Sequence, residues 1–197
     1  MASLWDSWRI ICAWATALVG ALHGLAGRFE PVIERLVRDY RRAPVKHADE
    51  TGWRTDGRNG YAWLFCTETI SLFRFRGSRS AQIALQVLGP RRLAGVLVVD
   101  RYHGYNRAIP ADNNRAEREL RPLVIARKIS FGSQSEAGAR TREVLMSVLH
   151  TLRKHTDDVT AAFQRVLDRF GAGRTRRSLQ TAVALRFLLS PRKTGNN

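Results

Sequence analysis

The chain is poor in cysteine and in carboxylates. Its 197 residues hold two cysteines, Cys12 and Cys66, too few and too isolated for a disulfide framework or a zinc site. A reducing cytosol is the compartment this suggests. Aspartate and glutamate number 17 against 33 lysines and arginines, a formal net charge of +16. Such an excess, mostly arginine, makes a polyanion the first partner to consider, nucleic acid before membrane. Guanidinium also suits bidentate phosphate contact better than ammonium does. Another absence is an uninterrupted apolar run of ~20 residues, which a membrane-spanning helix needs. IICAWATALVGALHGLAGRF comes nearest, but it contains His23, three glycines and Arg28. No basic run precedes it and no cleavage site follows, so it reads as a helix packed on its Leu, Ile and Trp residues. Internal repeats and low-complexity segments are missing too. The length fits one domain with an appended helical segment.

What is present falls into a readable order. PVIERLVRDYRR predicts a second helix opened by Pro31, with Val32, Leu36 and Tyr40 on one stripe flanked by Ile33 and Val37. VKHADETGWRT, the turn formers DGRNG and YAWLFCTE predict a β-hairpin over 45–67. ISLFRFR alternates, setting Leu72, Arg74 and Arg76 against Phe73 and Phe75, as in a strand with one wet face. Ser78 or Ser80 can cap a helix over AQIALQVLG, which Gly89 and Pro90 stop. AGVLVVD is a continuous β-branched run, expected of a central strand covered on both faces. Ser133 or Ser135 then starts a helix with the stripe Val144, Leu145, Val148, Leu149 and Leu152. Thr156 caps another, carrying Val159, Phe163, Val166, Leu167 and Phe170.

This order has a chemical consequence. Asp100 ends a buried strand, and strand carboxyl ends open onto the crevice where α/β sheets bind ligands. Asp49 lies in the first strand, and a right-handed crossover through the helix brings the fourth strand alongside it. Carboxylate oxygens suit hard cations such as Mg²⁺. Two such ions ~3.5–4 Å apart can clamp the attacking and leaving oxygens of a phosphodiester displacement. The same residues admit plainer roles. Asp49 can open a turn with Glu50, and Glu117 can form a capping pair with Asn114. Glu119, about 200° round a helix from Glu117, suits a solvated position, and His103 a structural or DNA-proximal one. Arg115, Arg118 and Arg121 serve equally as solubilising charge or as phosphate contacts.

HADETGW, VVDRYHGYN, DNNRAERELRPLVIARK and GSQSEAGARTREVLMSVLHT together resemble the DDE transposases of bacterial insertion sequences, specifically the insertion sequence 66 family. The resemblance runs from about Asp49 to Phe170. It implies an α/β, ribonuclease-H-like mixed sheet with N-terminal and C-terminal helices. It also implies metal-dependent cleavage and joining of DNA ends with Mg²⁺ or Mn²⁺. Carried over position by position, the catalytic and metal-binding residues are Asp49, Asp100 and Glu117. Arg115, Arg118, Arg121, Arg127 and Lys128 are the expected DNA contacts. Expected partners are DNA, with a second copy or a full-length relative as protein partner, and no membrane.

One departure stands out. In the family a long segment, with further core elements and a mostly helical insertion, separates the second Asp from the Glu. Here only the sixteen residues RYHGYNRAIPADNNRA do so. They can bridge a strand end and a neighbouring helix, at up to ~3.3–3.6 Å each, but cannot also supply a fifth strand and its helices. The family's amino-terminal DNA-binding portion is also expected to be missing. The resulting division is a helical segment over 1–43, an internally shortened catalytic domain over 44–170 and a basic tail over 171–197. The alternatives left open are a working transposase, a DNA-binding remnant without activity, and a basic interaction protein in which the acidic trio is incidental.

Overall fold

The computed structural model describes residues 4–89, 94–99 and 113–172. Asp100, Asp112, His103 and the tail beyond 172 lie outside them. The elements are α1 (Leu4–Arg42), β1 (Val45–Thr55), β2 (Arg58–Cys66), β3 (Ser71–Arg76), α2 (Ala81–Leu88), β4 (Val96–Val99), α3 (Asn114–Ser130), α4 (Glu136–His155) and α5 (Val159–Ala172).

Where two amino-terminal helices were expected, there is one. Pro31 lies inside α1, although proline in a helix interior costs ~3 kcal/mol through a lost hydrogen bond and a clash. Phe29, Val32, Ile33 and Leu36 are all buried around it. At ~1.5–3 kcal/mol per buried large side chain, their burial outweighs that cost.

The hairpin forms as expected. Asp56 and Gly57 both adopt positive φ, 51° and 70°, the conformation that two-residue hairpin turns require and that Asp-Gly tolerates. β1 and β2 then pair antiparallel from Thr55↔Arg58 to His47↔Cys66. β3 adds antiparallel to β2, and β4 adds parallel to β1. The sheet order is β3-β2-β1-β4, a mixed sheet with flanking helices, the mixed α/β class expected. One detail differs. The β-branched run was expected to be a central strand covered on both faces. Among the described residues β4 is outermost, and of its residues only Val98 and Val99 are buried.

Each face of the sheet carries its own core. One gathers Ala48, Trp63, Phe65 and Leu72 under α1, α2, α4 and α5. The other gathers Trp53, Leu64, Phe73 and Phe75 under α3. α4 contributes to both, because it runs along the open edge of β3. Thr151 Oγ1, Ser147 Oγ and Glu143 Oε2 accept from the backbone N–H groups of Ser71, Phe73 and Phe75 at 3.1, 2.9 and 3.1 Å. Four helical residues rise ~6.0 Å and two strand residues ~6.8 Å, so a polar stripe at every fourth position can substitute for a fifth strand. An open edge is thereby closed against unwanted pairing.

The expected wet face of β3 is therefore not wet. Arg74 and Arg76 turn onto Glu143, at 3.0 and 2.7 Å, with the Glu143 side chain only 1 % exposed. Arg140 joins the same carboxylate. Helix caps also moved. Thr156 ends α4, while Asp158 Oδ1 accepts from Ala161 N at 2.8 Å and opens α5. Ser135 caps α4 through Gly138 N, as expected.

Two close approaches set the site's frame. Gly95 has φ +77°, and a Cβ there would lie 2.1 Å from Pro44 O. Val96 N donates to that same carbonyl at 2.7 Å, and buried Lys46 ties Ala43 O to Ala94 O. The start of β4 is thus pinned to the start of β1. Gly132, φ +125°, passes Arg54 O where a Cβ would be 2.2 Å away. Trp53 Nε1 donates to Ser133 Oγ next to it at 3.1 Å, fixing the α3–α4 connection on the far end of β1.

Candidate functional site

Asp49 sits half-buried in the middle of β1. Strand side chains alternate between faces, and Ala48 belongs to the core beneath α1. Asp49 therefore stands on the opposite face with its register partner Leu64, beneath α3. One carboxylate oxygen, Oδ1, accepts from Glu50 N at 2.8 Å. Glu50 faces the other side, where Arg79 Nε donates to it at 2.6 Å. The two adjacent carboxylates are thus separated by the sheet, and Asp49 is not part of a turn.

Asp100 lies outside the described residues. The strand that leads to it is described, and its register with β1 runs Val45↔Val96, Lys46↔Leu97, His47↔Val98, Ala48↔Val99.

Glu117 is on the first turn of α3 and exposed. The capping pair with Asn114 does not form. The N-cap is Asn113, whose side chain makes no cap hydrogen bond. Buried instead, Asn113 Nδ2 donates to Ala48 O at 3.3 Å and its Oδ1 meets His47 Nδ1 at 3.3 Å. With Oδ1 as acceptor, His47 carries its proton on Nδ1. Asn113 thus docks the start of α3 on β1 one residue from Asp49, and Glu117 N donates back to Asn113 O at 3.3 Å. Sequence reasoning passed over this residue. The signal lay in DNN, where the first asparagine precedes the helix and is free to serve the neighbouring strand.

Glu119, expected to be solvated, is the engaged carboxylate. Ser71 Oγ donates to its Oε2 at 2.6 Å, and Lys154 Nζ lies 2.6 Å from its Oε1. Lys154 also donates to Thr67 O and Ile70 O, at 2.7 and 2.8 Å, closing the β2–β3 turn. At ~100° per residue Glu117 and Glu119 look to opposite flanks of α3, so only one can turn toward β3. A helix periodicity alone does not say which.

The electrostatics beside Asp49 favour neutral groups. Burial pushes the His47 imidazole below its usual range, helped by Arg115 and Lys154 and opposed by Asn113 and Glu119. Burial and Glu119 push the Cys66 thiol up to about 12, so it is an inert core thiol and not a nucleophile. Among the described residues no group of three or more His, Cys, Asp or Glu is gathered as for a metal ion.

The expected DNA contacts divide. Arg115, Arg118, Arg121 and Lys128 are exposed. Arg127 is half-buried and holds β1, its Nη1 donating to Gly52 O at 2.7 Å and to Thr51 Oγ1 at 3.3 Å. No helix among the described residues is long and apolar enough to cross a membrane.

The class is an α/β domain with a four-stranded mixed sheet and flanking helices, with Asp49 on an interior strand next to the parallel strand β4. The chain belongs to the Transposase IS66 family, whose pattern it matches over residues 13–109 and 106–141. Among solved structures it is similar to the catalytic domain of Mos1 mariner transposase, at 12% identity over 83% of this chain and 88% of that one, with a TM-score of 0.23. The Mos1 transposase catalytic domain with raltegravir and Mn, and again with Mg, is similar at 12% identity, 83% and 90% coverage and a TM-score of 0.23. A TM-score that low adds no weight to the family match. No curated protein matches the chain.

Proposed function

We propose that this transposase-family chain binds DNA in the cytoplasm and retains an incomplete DDE centre, in which Asp49, Asp100 and Glu117 are the catalytic carboxylates. The observation that carries the reading is the parallel register that ends at Ala48↔Val99. Asp49 follows Ala48 on β1, and Asp100 follows Val99 in the chain; the reading takes these two carboxylates as a pair. Asp49 itself faces the α3 side of the sheet.

An all-carboxylate donor set suits Mg²⁺ or Mn²⁺. Such ions, held by these residues, would polarise the scissile phosphate and lower the pKa of the attacking water. The protein's part is positioning. Asn113 anchors the first turn of α3 next to Asp49, and Glu119 takes the flank toward β3. Glu117, about 200° round the helix, is left on the opposite flank. Arg115, Arg118, Arg121 and Lys128 supply exposed cations for the DNA backbone, while Arg127 keeps α3 on β1.

The same observations favour impaired chemistry. The family match divides into two blocks that meet at 106–109, as expected if the family's intervening segment is missing. Glu117 is exposed among the described residues, whereas working sites hold metal ligands to about half an ångström with a surrounding shell. A non-enzymatic DNA-binding remnant is the second reading, favoured by that exposure. Assaying Mn²⁺-dependent cleavage and strand transfer, with Asp100→Asn as control, separates the two.

A further inference from the structure

α1 is longer than the body it packs on. Its carboxyl-terminal half lies in the core from Leu25 and Ala26 onward, and His23 bonds to Thr141 on α4. Beyond that point large apolar side chains stand in solvent: Leu22, Val19, Leu18 (63 %), Trp14 (74 %) and Ile11 (57 %). Ile11, Trp14, Leu18 and Leu22 follow one another at three and four residues, so they form one stripe, continuous with Leu25 and the buried stripe below. A lone Trp or Leu on a surface is ordinary; a row of four on a projecting helix marks a contact surface.

The helix also needs that contact to persist. Gly20 and Gly24 meet nothing within 4 Å, glycine weakens a helix relative to alanine, and helical stability in proteins comes chiefly from packing an amphipathic face. We propose that the amino-terminal half of α1 pairs, antiparallel, with the same half of α1 in a second copy of this chain.

Two physical arguments select a second copy. The first is area. The five side chains expose on the order of 500–600 Å², so two copies bury about 1,000–1,200 Å², the lower bound for a stable interface. The second is charge. From Ile10 to Gly27 there is no Asp, Glu, Lys or Arg, so a self-complementary seam meets no like charges there. An antiparallel overlay of 11–22 also keeps the two strongly basic bodies about 18 Å apart along the helix, beyond the Debye length of ~8 Å at physiological salt.

The test is the solution mass of the full chain by sedimentation equilibrium. Wild type is expected at twice the chain mass. Trp14→Glu and Leu18→Glu should each run as monomers that still unfold cooperatively and still bind DNA. Orientation is read in a Cys12→Ser background with a short bismaleimide. An equimolar mixture of Ile11→Cys and Leu22→Cys chains should cross-link, and neither alone should. A monomeric wild type overturns the proposal, whether the stripe stays open, is covered by residues 173–197 or binds anionic phospholipid vesicles. So does a dimer that survives both glutamates, and cross-linking of either cysteine chain with itself overturns the antiparallel pairing.

Discussion

Ala48 lies opposite Val99 in the parallel register of β1 and β4, and an aspartate follows each of them in the chain. This one pairing brings residues about fifty positions apart to the same level of the sheet. It depends on Gly95 passing over Pro44 O and on Lys46 bridging Ala43 O and Ala94 O. The metal-binding reading therefore inherits its geometry from a glycine and a lysine that carry no chemistry themselves.

Replacing Gly95 by alanine should disturb that level. A left-handed φ costs an L-residue roughly 1–2 kcal/mol, and the new methyl would collide with Pro44 O. Urea unfolding is expected to show a loss of about 2 kcal/mol or more. An unchanged midpoint would mean that β4 does not start where this geometry puts it.

Glu143 should matter more than any other charged residue for stability. It pairs with Arg74, Arg76 and Arg140 and accepts from Phe75 N on the sheet edge. Glu143→Ala leaves Arg74, with a side chain only 11 % exposed, without its counter-charge. Breaking such a buried pair costs ~3–5 kcal/mol. Amide exchange at Phe75 is expected to rise with the loss, and a variant as stable as wild type would refute the edge-capping role of α4.

Stability should fall on mild acidification. Burial lowers the pKa of both His47 and His150, so the unfolded chain takes up these protons first. Their contribution is complete above the unfolded value near 6.5 and is lost as pH falls from there through the folded values. The slope is at most ~1.4 kcal/mol per pH unit for each group. Urea midpoints measured between pH 7 and 5 should drop for wild type and drop less for the double variant His47→Asn, His150→Phe. An equal drop in both would assign the acid sensitivity elsewhere.

DNA affinity should fall log-linearly with salt as counterions are released from the phosphates. Arg118→Ala with Arg121→Ala is expected to flatten that slope by about one unit per lost contact. Arg127→Ala should instead lower stability, because its guanidinium is committed to Gly52 and Thr51. Salt-independent binding, or none at low salt, would contradict this assignment of the exposed arginines.

Local rules were enough where neighbours in sequence decide the structure. Asp56-Gly57 announces its turn, alternation marks β3, and the β-branched run before Asp100 marks β4. They fell short wherever a distant partner decides. Arg74 reads as a wet-face cation until Glu143, 69 residues away, is placed against it. Pro31 reads as a helix start until the burial of Phe29, Val32 and Ile33 is counted. Glu117 and Glu119 are indistinguishable by spacing, and the choice between them is made by Ser71 and Lys154. Asn113 was overlooked for the same reason, since its role is to bind β1 and not to cap its own helix. Strand order and the family resemblance both pointed to Asp49 and Asp100, and of the two only Asp49 lies among the described residues.

The most direct measurement is a strand-transfer assay with Mn²⁺ and DNA carrying the ends of a full-length relative, comparing wild type with Asp100→Asn. Two-metal displacement needs all its ligands held rigidly, and Glu117, the third proposed ligand, is exposed on the first turn of α3. The account predicts DNA binding by both proteins, no strand transfer by either, and at most trace Mn²⁺-dependent cleavage by wild type that Asp100→Asn removes. Efficient strand transfer by wild type, abolished in Asp100→Asn, would contradict it and show that the shortened domain is a working transposase.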